Sequence, residues 1–405
     1  MKVFQINVVA NSGSTGTIAE GIAATLMQDG WDCYTAYGRW ANPSKTNLYR
    51  IGNCWDIYSH YLLSRIYGKH GMGSVKATKR LIKEIERIKP DLIHLHNIHG
   101  YYVNYPLLFQ YLSSINVPVV WTLHDCWAYT GHCVHYAEVK CRKWVNGCFD
   151  CPRLSDYPKS FRDNSAENYL QKKKNFTSLK RLVIVPVSEW LGEEVRRSFL
   201  SVYPIKIIQN GVDVAVFHPV VSGVRRMYGI GERFFILGVA TRWDERKGLV
   251  DFKELSKLLA DDEVILLVGL DKKQIASLPD NMIGLQKTED ITQLVELYSS
   301  ADLFINFSTE ETFGMTTLES MACGTPVLVY NSTACPEIVR KETGFIIEPH
   351  DIAASYRKVK VVKEVGKKQY SSACVSYVEK KFRKEKKYRE YVDLYYEILH
   401  SFGNK

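Results

Sequence analysis

Two glutamates, Glu311 and Glu319, stand eight residues apart in Glu310-Glu311-Thr312-Phe313-Gly314-Met315-Thr316-Thr317-Leu318-Glu319. Carboxylate oxygens accept hydrogen bonds from pairs of neighbouring hydroxyls, the groups a sugar offers. Gly314 precedes a helical pattern, and a helix N-terminus turns unbonded amides toward a phosphate. Arg242 and Lys247, in Thr241-Arg242-Trp243-Asp244-Glu245-Arg246-Lys247-Gly248, are two cations suited to neutralising a diphosphate. A third segment, Asn11-Ser12-Gly13-Ser14-Thr15-Gly16-Thr17, joins a β-branched run to an amphipathic stretch, and Gly13 and Gly16 allow close backbone approach to a ligand. It is neither G-x-G-x-x-G nor a Walker loop, which argues against a dinucleotide or ATP. Taken singly, each signal is weak. Two glutamates eight apart recur by chance about once in a chain this long, surface Arg/Lys pairs are common, and the third segment also reads as a plain strand-to-helix turn.

Six of the eleven histidines lie between His94 and His135. His94 and His96 fall at a strand end, where hydrogen-bonded structure or substrate-hydroxyl binding suits them better than a metal. Cys133, Cys141, Cys148 and Cys151 are spaced C-x7-C-x6-C-x2-C within the loop 126–151. Cys148-Phe149-Asp150-Cys151 has the spacing of half a tetrahedral zinc–sulfur site. A structural zinc is therefore one expectation, with Cys126 as a spare ligand, and a chance cluster of reduced thiols is the other. Disulfides come third, because the N-terminus lacks the pattern of a secretory signal and the expected compartment, the cytoplasm, is reducing.

These loops need strands to hold them. Short β-branched runs at 3–9, 92–95, 117–123 and 182–187 alternate with helical patterns, of which 18–27 and 75–88 are the clearest. The alternation restarts with runs at 205–208, 234–239, 264–268, 303–307 and 326–330, separated by helical stretches at 249–259, 291–298 and 316–322. Alternation of this kind defines an α/β fold of two doubly wound parallel sheets, with ligands at the carboxyl ends of the strands in a cleft between the halves. The expected domains are 1–187, 188–375 and a tail, 376–405, read as one long basic amphipathic helix. Tyr388, Tyr391, Val392, Tyr395, Leu399 and Phe402 form its apolar stripe.

Composition narrows the classes. The 405 residues are 46% hydrophobic and 24% charged, as in ordinary globular domains and unlike disordered, coiled-coil or collagen-like chains. No apolar run approaches the roughly 20 residues of a membrane-crossing helix. The net charge is +9, and residues 357–405 hold fourteen Lys and Arg against six Asp and Glu. That surplus is either a solvated helix face or a surface drawn to phospholipid or nucleic acid. Nucleic acid is set aside, since no recognition helix or stacking platform accompanies the charge.

Taken together, Glu311 through Glu319 with Phe313 and Gly314, followed by Cys323-Gly324-Thr325-Pro326-Val327, resemble the E-x7-E signature of family 4 retaining glycosyltransferases of the GT-B fold. Arg242 with Lys247-Gly248, Asn210-Gly211-Val212-Asp213 with Phe217 and Pro219, Val187-Ser188-Glu189 and Ala301-Asp302-Leu303 also fit that family's segments. His94-Leu95-His96-Asn97-Ile98-His99-Gly100 and Trp121-Thr122-Leu123-His124-Asp125-Cys126-Trp127 resemble transferases of capsule, colanic-acid-type and exopolysaccharide assembly. The resemblance implies a nucleotide-diphosphate-sugar donor and a glycan or polyprenyl-diphosphate-linked acceptor. It implies catalysis without a metal cofactor, which agrees with the absence of an Asp-x-Asp motif, and peripheral contact of the last helix's basic face with the anionic inner face of the cytoplasmic membrane. By resemblance, Arg242 and Lys247 neutralise the diphosphate, Glu311 takes hydroxyls of the moving sugar and Glu319 those of the ribose. Phe313, Gly314, Met315, Thr316, Asn210, Gly13 and Gly16 belong to the donor site, and His124 lines the sugar and acceptor site. The Gly13–Gly16 loop is less glycine-rich than is usual in the family, and Thr241 replaces a common glycine. A nucleotide-sugar epimerase on a related two-domain fold, or a basic zinc-containing nucleic-acid-binding protein, are the competing classes.

Overall fold

The computed structural model describes residues 1–403, with side chains through Ser401. Phe402 of the expected stripe lies outside the described side chains, and Asn404 and Lys405 of the expected tail lie outside the described residues.

Twelve strands form two sheets with the same topology. The first contains β1 (Lys2–Asn7), β2 (Asp32–Tyr37), β3 (Asn47–Arg50), β4 (Leu92–Leu95), β5 (Val119–Leu123) and β6 (Leu182–Pro186), in the order β3-β2-β1-β4-β5-β6. The second contains β7 (Phe234–Val239), β8 (Glu263–Val268), β9 (Met282–Leu285), β10 (Leu303–Asn306), β11 (Val327–Tyr330) and β12 (Gly344–Ile347), in the order β12-β11-β10-β7-β8-β9. All pairings are parallel. Both faces of such a sheet are covered by helices, so central strands read as unbroken apolar runs; every residue of β5 and β8 is buried. The order reverses between β1 and β4 in one sheet and between β7 and β10 in the other. Loops diverge at such a switch point and leave room for a ligand. The Gly13 loop follows β1, the Arg242–Lys247 loop follows β7, and the Glu311 loop follows β10.

The chain divides into two units, Met1–Gln209 with the residues from Glu385 on, and Asn210–Lys384. The sequence boundaries were 187/188 and 375/376. Residues 205–208, expected as a strand, make only a bridge from Ile205 to Ile184 beside β6 and stay with the first unit. The expected single C-terminal helix is two, Lys368–Phe382 and Lys384–Gly403. Arg383 between them is extended and bridges Val212: the Val212 amide donates to the Phe382 carbonyl (2.8 Å) and the Lys384 amide to that of Val212 (3.0 Å). Gly211 permits this approach, since a Cβ there would lie 2.5 Å from the Lys384 Cα. From Lys384 on, the apolar stripe is buried. Tyr388, Tyr391, Val392, Leu394, Tyr395 and Ile398 are buried with Ile18, Ile22, Leu26 and Trp31 of the first unit, and Leu399 packs against them.

Candidate active site

In the second unit the expected donor-side residues converge from separate loops. Trp243, buried, donates from Nε1 to the Val268 carbonyl (2.9 Å) and anchors the loop after β7, leaving Arg242 exposed. The turn that follows ends at Gly248, in the left-handed conformation at φ 74° and pressed on the end of β10: an added Cβ would meet the Phe307 carbonyl oxygen at 2.5 Å. That contact sets Lys247 against the next loop, where its ammonium forms an ion pair with Glu311. Ser308 donates to Glu311 Oε1 (3.1 Å), the Glu311 amide donates to the Thr333 hydroxyl (2.9 Å), and Arg246 donates to the Glu310 carbonyl (2.8 Å). Sequence reasoning missed Ser308, Thr333 and Arg246, because only the fold brings them beside Glu311.

Gly314 adopts φ 98° and opens the helix Met315–Ala322, whose first turn carries no acidic residue and no side-chain cap. Phe313 is buried with its ring against Phe382, so only its backbone faces the loop, while Met315 and Thr316 are half-buried in the first turn. Glu319 lies one further turn along. Burial pushes its carboxyl up to about 7, against the opposing effect of the Tyr298 hydroxyl, which donates to Oε2 at 3.0 Å. Asn210, at the start of the unit, is buried with its side-chain oxygen unpartnered; no hydrogen bond ties that oxygen to this cluster.

The first unit holds the rest. Gly13 (φ 57°) begins the helix Gly13–Gln28, whose N-terminus also lacks a side-chain cap and a first-turn acid. Gly16 is needed for space: a Cβ would come within 3.1 Å of Val9 and 3.2 Å of the Asn11 amide. His124 ends β5 in a hydrogen-bonded row whose protons can be assigned. Gln5 donates from Nε2 to the Ala19 carbonyl (2.9 Å), so its Oε1 accepts from His96 Nε2–H (3.0 Å). His96 Nδ1 then accepts from His124 Nε2–H (3.2 Å), and burial holds His124 neutral, with a pKa lowered to about 4. His94 is fully buried between Thr122 (2.8 Å) and Tyr395. His94 and His96 are thus hydrogen-bonded structure.

A second polar group beside this row was not foreseen as a unit. His99 bonds Asp125 through Nε2 (2.7 Å) and the Tyr157 hydroxyl through Nδ1 (3.1 Å). Burial opposes the charge on Asp125, but His99 and the Trp127 amide outweigh it and hold the carboxyl at about 2. Lys172, buried, donates to the Trp127 and Thr130 carbonyls (2.6 and 2.9 Å) below it.

The zinc expectation finds no support among the described residues. Cys133, Cys141, Cys148 and Cys151 line one cavity with His132, Lys143 and Trp144. Among the described residues, however, no group of three or more His, Cys, Asp or Glu is placed to hold a metal. Instead the Cys133 and Cys151 thiols hydrogen-bond each other, and Cys148 accepts from the Gly131 amide (3.1 Å). Cys126 is buried, and all ten cysteines are free thiols.

Solved structures share the two-sheet fold. Sucrose-phosphate synthase from Thermosynechococcus elongatus superposes with a TM-score of 0.71 at 16% identity, over 99% of both chains. Anabaena Alr3699/HepE in complex with UDP-glucose does so at 0.67 and 14%, over 98% of this chain and 100% of that one. At such identities the likeness establishes the fold, that of the GT-B glycosyltransferases. The sequence establishes the family: residues 15–216 match the model described as Glycosyltransferase Family 4 and residues 224–377 that of Glycosyl transferases group 1, so the chain belongs to the family 4 glycosyltransferases. A putative colanic acid biosynthesis glycosyl transferase, WcaC of Escherichia coli (strain K12), is 22% identical over 87% of this chain and 88% of its own length.

Proposed function

We propose that this glycosyltransferase moves a sugar, with retention of configuration, from a nucleotide diphosphate to a lipid-linked glycan during assembly of a bacterial surface polysaccharide. The observation that carries the donor site is the Lys247–Glu311 ion pair, bridging the loops after β7 and β10 where strand order reverses. Without donor the two charges neutralise each other. A donor separates their tasks: the diphosphate takes Lys247 and Arg242, and a hydroxyl of the sugar takes Glu311. Negative charge grows on the departing diphosphate as the C1–O bond breaks, and two cations with the open Met315–Ala322 helix end stabilise it without a metal. The acceptor oxygen bonds C1 on the same face, and its proton passes to the departing phosphate oxygen. Neutral His124 suits an acceptor hydroxyl, Asn210 presents an unpaired oxygen to the donor, and the Gly13–Gly16 helix end offers amides to phosphate. The colanic-acid relative supports the polysaccharide assignment, and the UDP-glucose complex of HepE makes UDP the first nucleotide to test.

Incubation with UDP-, GDP- and ADP-sugars and a polyprenyl-diphosphate-linked acceptor should give transfer from one of them. NMR of the product should show the donor's anomeric configuration; an inverted product would refute retention. Brief treatment with a chelator should leave turnover unchanged.

Glu319 adds a pH signature. A carboxyl raised to about 7 is mostly protonated at pH 6, and protonation leaves it a weaker acceptor for a pair of ribose hydroxyls. Donor affinity should therefore weaken as pH falls through about 7, by at most about tenfold per unit. Glu319→Gln should bind more weakly and flatten the profile. Calorimetry across pH 5–8 checks both, and a flat wild-type profile would remove the ribose role.

A further inference from the structure

The helix Cys54–Tyr67 of the first unit is packed the wrong way round for a globular protein. Of its fourteen residues only His60 and Ser64 are buried. His60 is the mooring: its Nε2 accepts from the Gly71 amide (3.0 Å), so its Nδ1–H donates to the Ser74 hydroxyl (3.0 Å). Ile57, Leu62 and Leu63 are half-buried, and the remaining large apolar side chains point out. Trp55 is 79% exposed, Tyr58 54%, Ile66 47% and Tyr67 51%, while Phe161, whose backbone N–H donates to the Arg65 carbonyl at the helix end (2.8 Å), is 75% exposed. Scattered exposed apolar residues need no explanation, but a helix that turns this set outward together does.

Cations ring the set. The Arg65 guanidinium lies 4.1 Å from the Phe161 ring centroid, Arg50 reaches the Cys54 sulfur, Arg80 pairs with Asp56 at 3.4 Å, and Lys69 and Arg162 are exposed beside the helix end. Asp56, the helix's one acid, is engaged in the N-terminal capping box, and neighbouring Asp163 accepts the Cys151 and Ser165 amides. Trp, Tyr and Ile on one helix, with Arg65 on it and Arg50, Lys69, Arg80 and Arg162 on the segments around it, is the mixture found where a protein surface lies in the interface of an anionic bilayer.

We propose that this face seats the first unit on an anionic lipid leaflet, with the Trp55, Tyr58 and Ile66 side chains among the headgroups and the arginines and lysines on the phosphates. Charge favours lipid over a second copy, because a twofold contact through this face would set like-charged clusters against each other. The C-terminal basic segment differs: Lys384 and Lys387 are half-buried and paired with Asp213 and Glu390, and among the described residues no exposed large apolar side chain accompanies the exposed Lys380, Lys381 and Lys386. The inference extends the proposed lipid-linked acceptor but does not depend on which sugar moves.

Full-length protein should cosediment with phosphatidylglycerol–phosphatidylcholine vesicles and far less with phosphatidylcholine alone. The combined variant Trp55→Ser, Tyr58→Ser, Ile66→Ser should bind roughly tenfold more weakly or worse. Lys380→Gln with Lys386→Gln should bind like the wild type. Trp55→Phe, which keeps the packing, should lose most of the vesicle-induced blue shift in tryptophan emission. Vesicle binding by the combined variant equal to wild type, equal binding to neutral vesicles, or a dimer that the variant dissolves without any vesicle binding would each overturn the proposal. Transfer to a detergent-solubilised acceptor should survive the combined variant; absence of that transfer in the wild type would instead tell against the proposed reaction.

Discussion

Alanine at Glu311, Lys247 or Arg242 is expected to lower turnover by about 10²-fold or more in each case, because one positioned charge in a water-poor site is worth about 3–4 kcal/mol to the transition state. In the proposed reaction Lys247 and Arg242 act on the diphosphate and Glu311 on the sugar. Removing Lys247 takes away a phosphate contact and also releases Glu311, which keeps Ser308 and Thr333 but loses its cation. Removing Glu311 leaves the lysine in place but ungoverned. Their effects should therefore overlap: the Lys247→Ala, Glu311→Ala pair should cost less than the product of the singles. Arg242, exposed on the neighbouring loop, should add more independently. If all three single variants kept more than half the wild-type turnover, the site assignment would be wrong.

The second large effect is on stability. Tyr395 is fully buried, its hydroxyl bonds His94 Nδ1, and its ring meets His94 edge-on at 5.7 Å and Trp31 at 6.1 Å. Tyr395→Ala should destabilise the first unit by about 3–5 kcal/mol through the cavity left behind. Tyr395→Phe should cost about 1–3 kcal/mol, since it leaves a buried imidazole nitrogen unpaired while keeping the ring. Urea unfolding followed by a probe in the first unit checks both, because two units need not melt in one step. A loss under about 1 kcal/mol for the alanine variant would mean that the helix is only loosely docked.

How much of this was legible in the sequence depends on where each cause lies. Central strands such as β4, β7 and β8 were visible because a doubly covered parallel strand must be a continuous apolar run. β3 was not: Asn47-Leu48-Tyr49-Arg50 is a largely exposed edge strand without that pattern. The break at Arg383 was invisible for another reason. No glycine or proline marks it; a bridge to Val212, far away in sequence, makes it. Among the site residues, Glu311, Lys247 and Glu319 were legible through family motifs, but Glu311's supports Ser308 and Thr333 are set by tertiary folding alone. The Cys54–Tyr67 helix defeats periodicity altogether. An apolar stripe reads as core, and only the fold shows that Trp55, Tyr58 and Ile66 face out while His60 and Ser64 face in.

The first unit is discontinuous, and this has a consequence for the order in which the molecule is made. A ribosome releases residues 1–209 first, yet Ile18, Ile22, Leu26 and Trp31 lack their covering helix until residues from 385 on emerge. The whole of Asn210–Lys384 is synthesised in between and can close its own sheet without waiting. The second unit can therefore reach its native state before the first, reversing the usual N-to-C order. Throughout that interval the nascent first unit carries an uncovered apolar strip, until the helix from Lys384 docks.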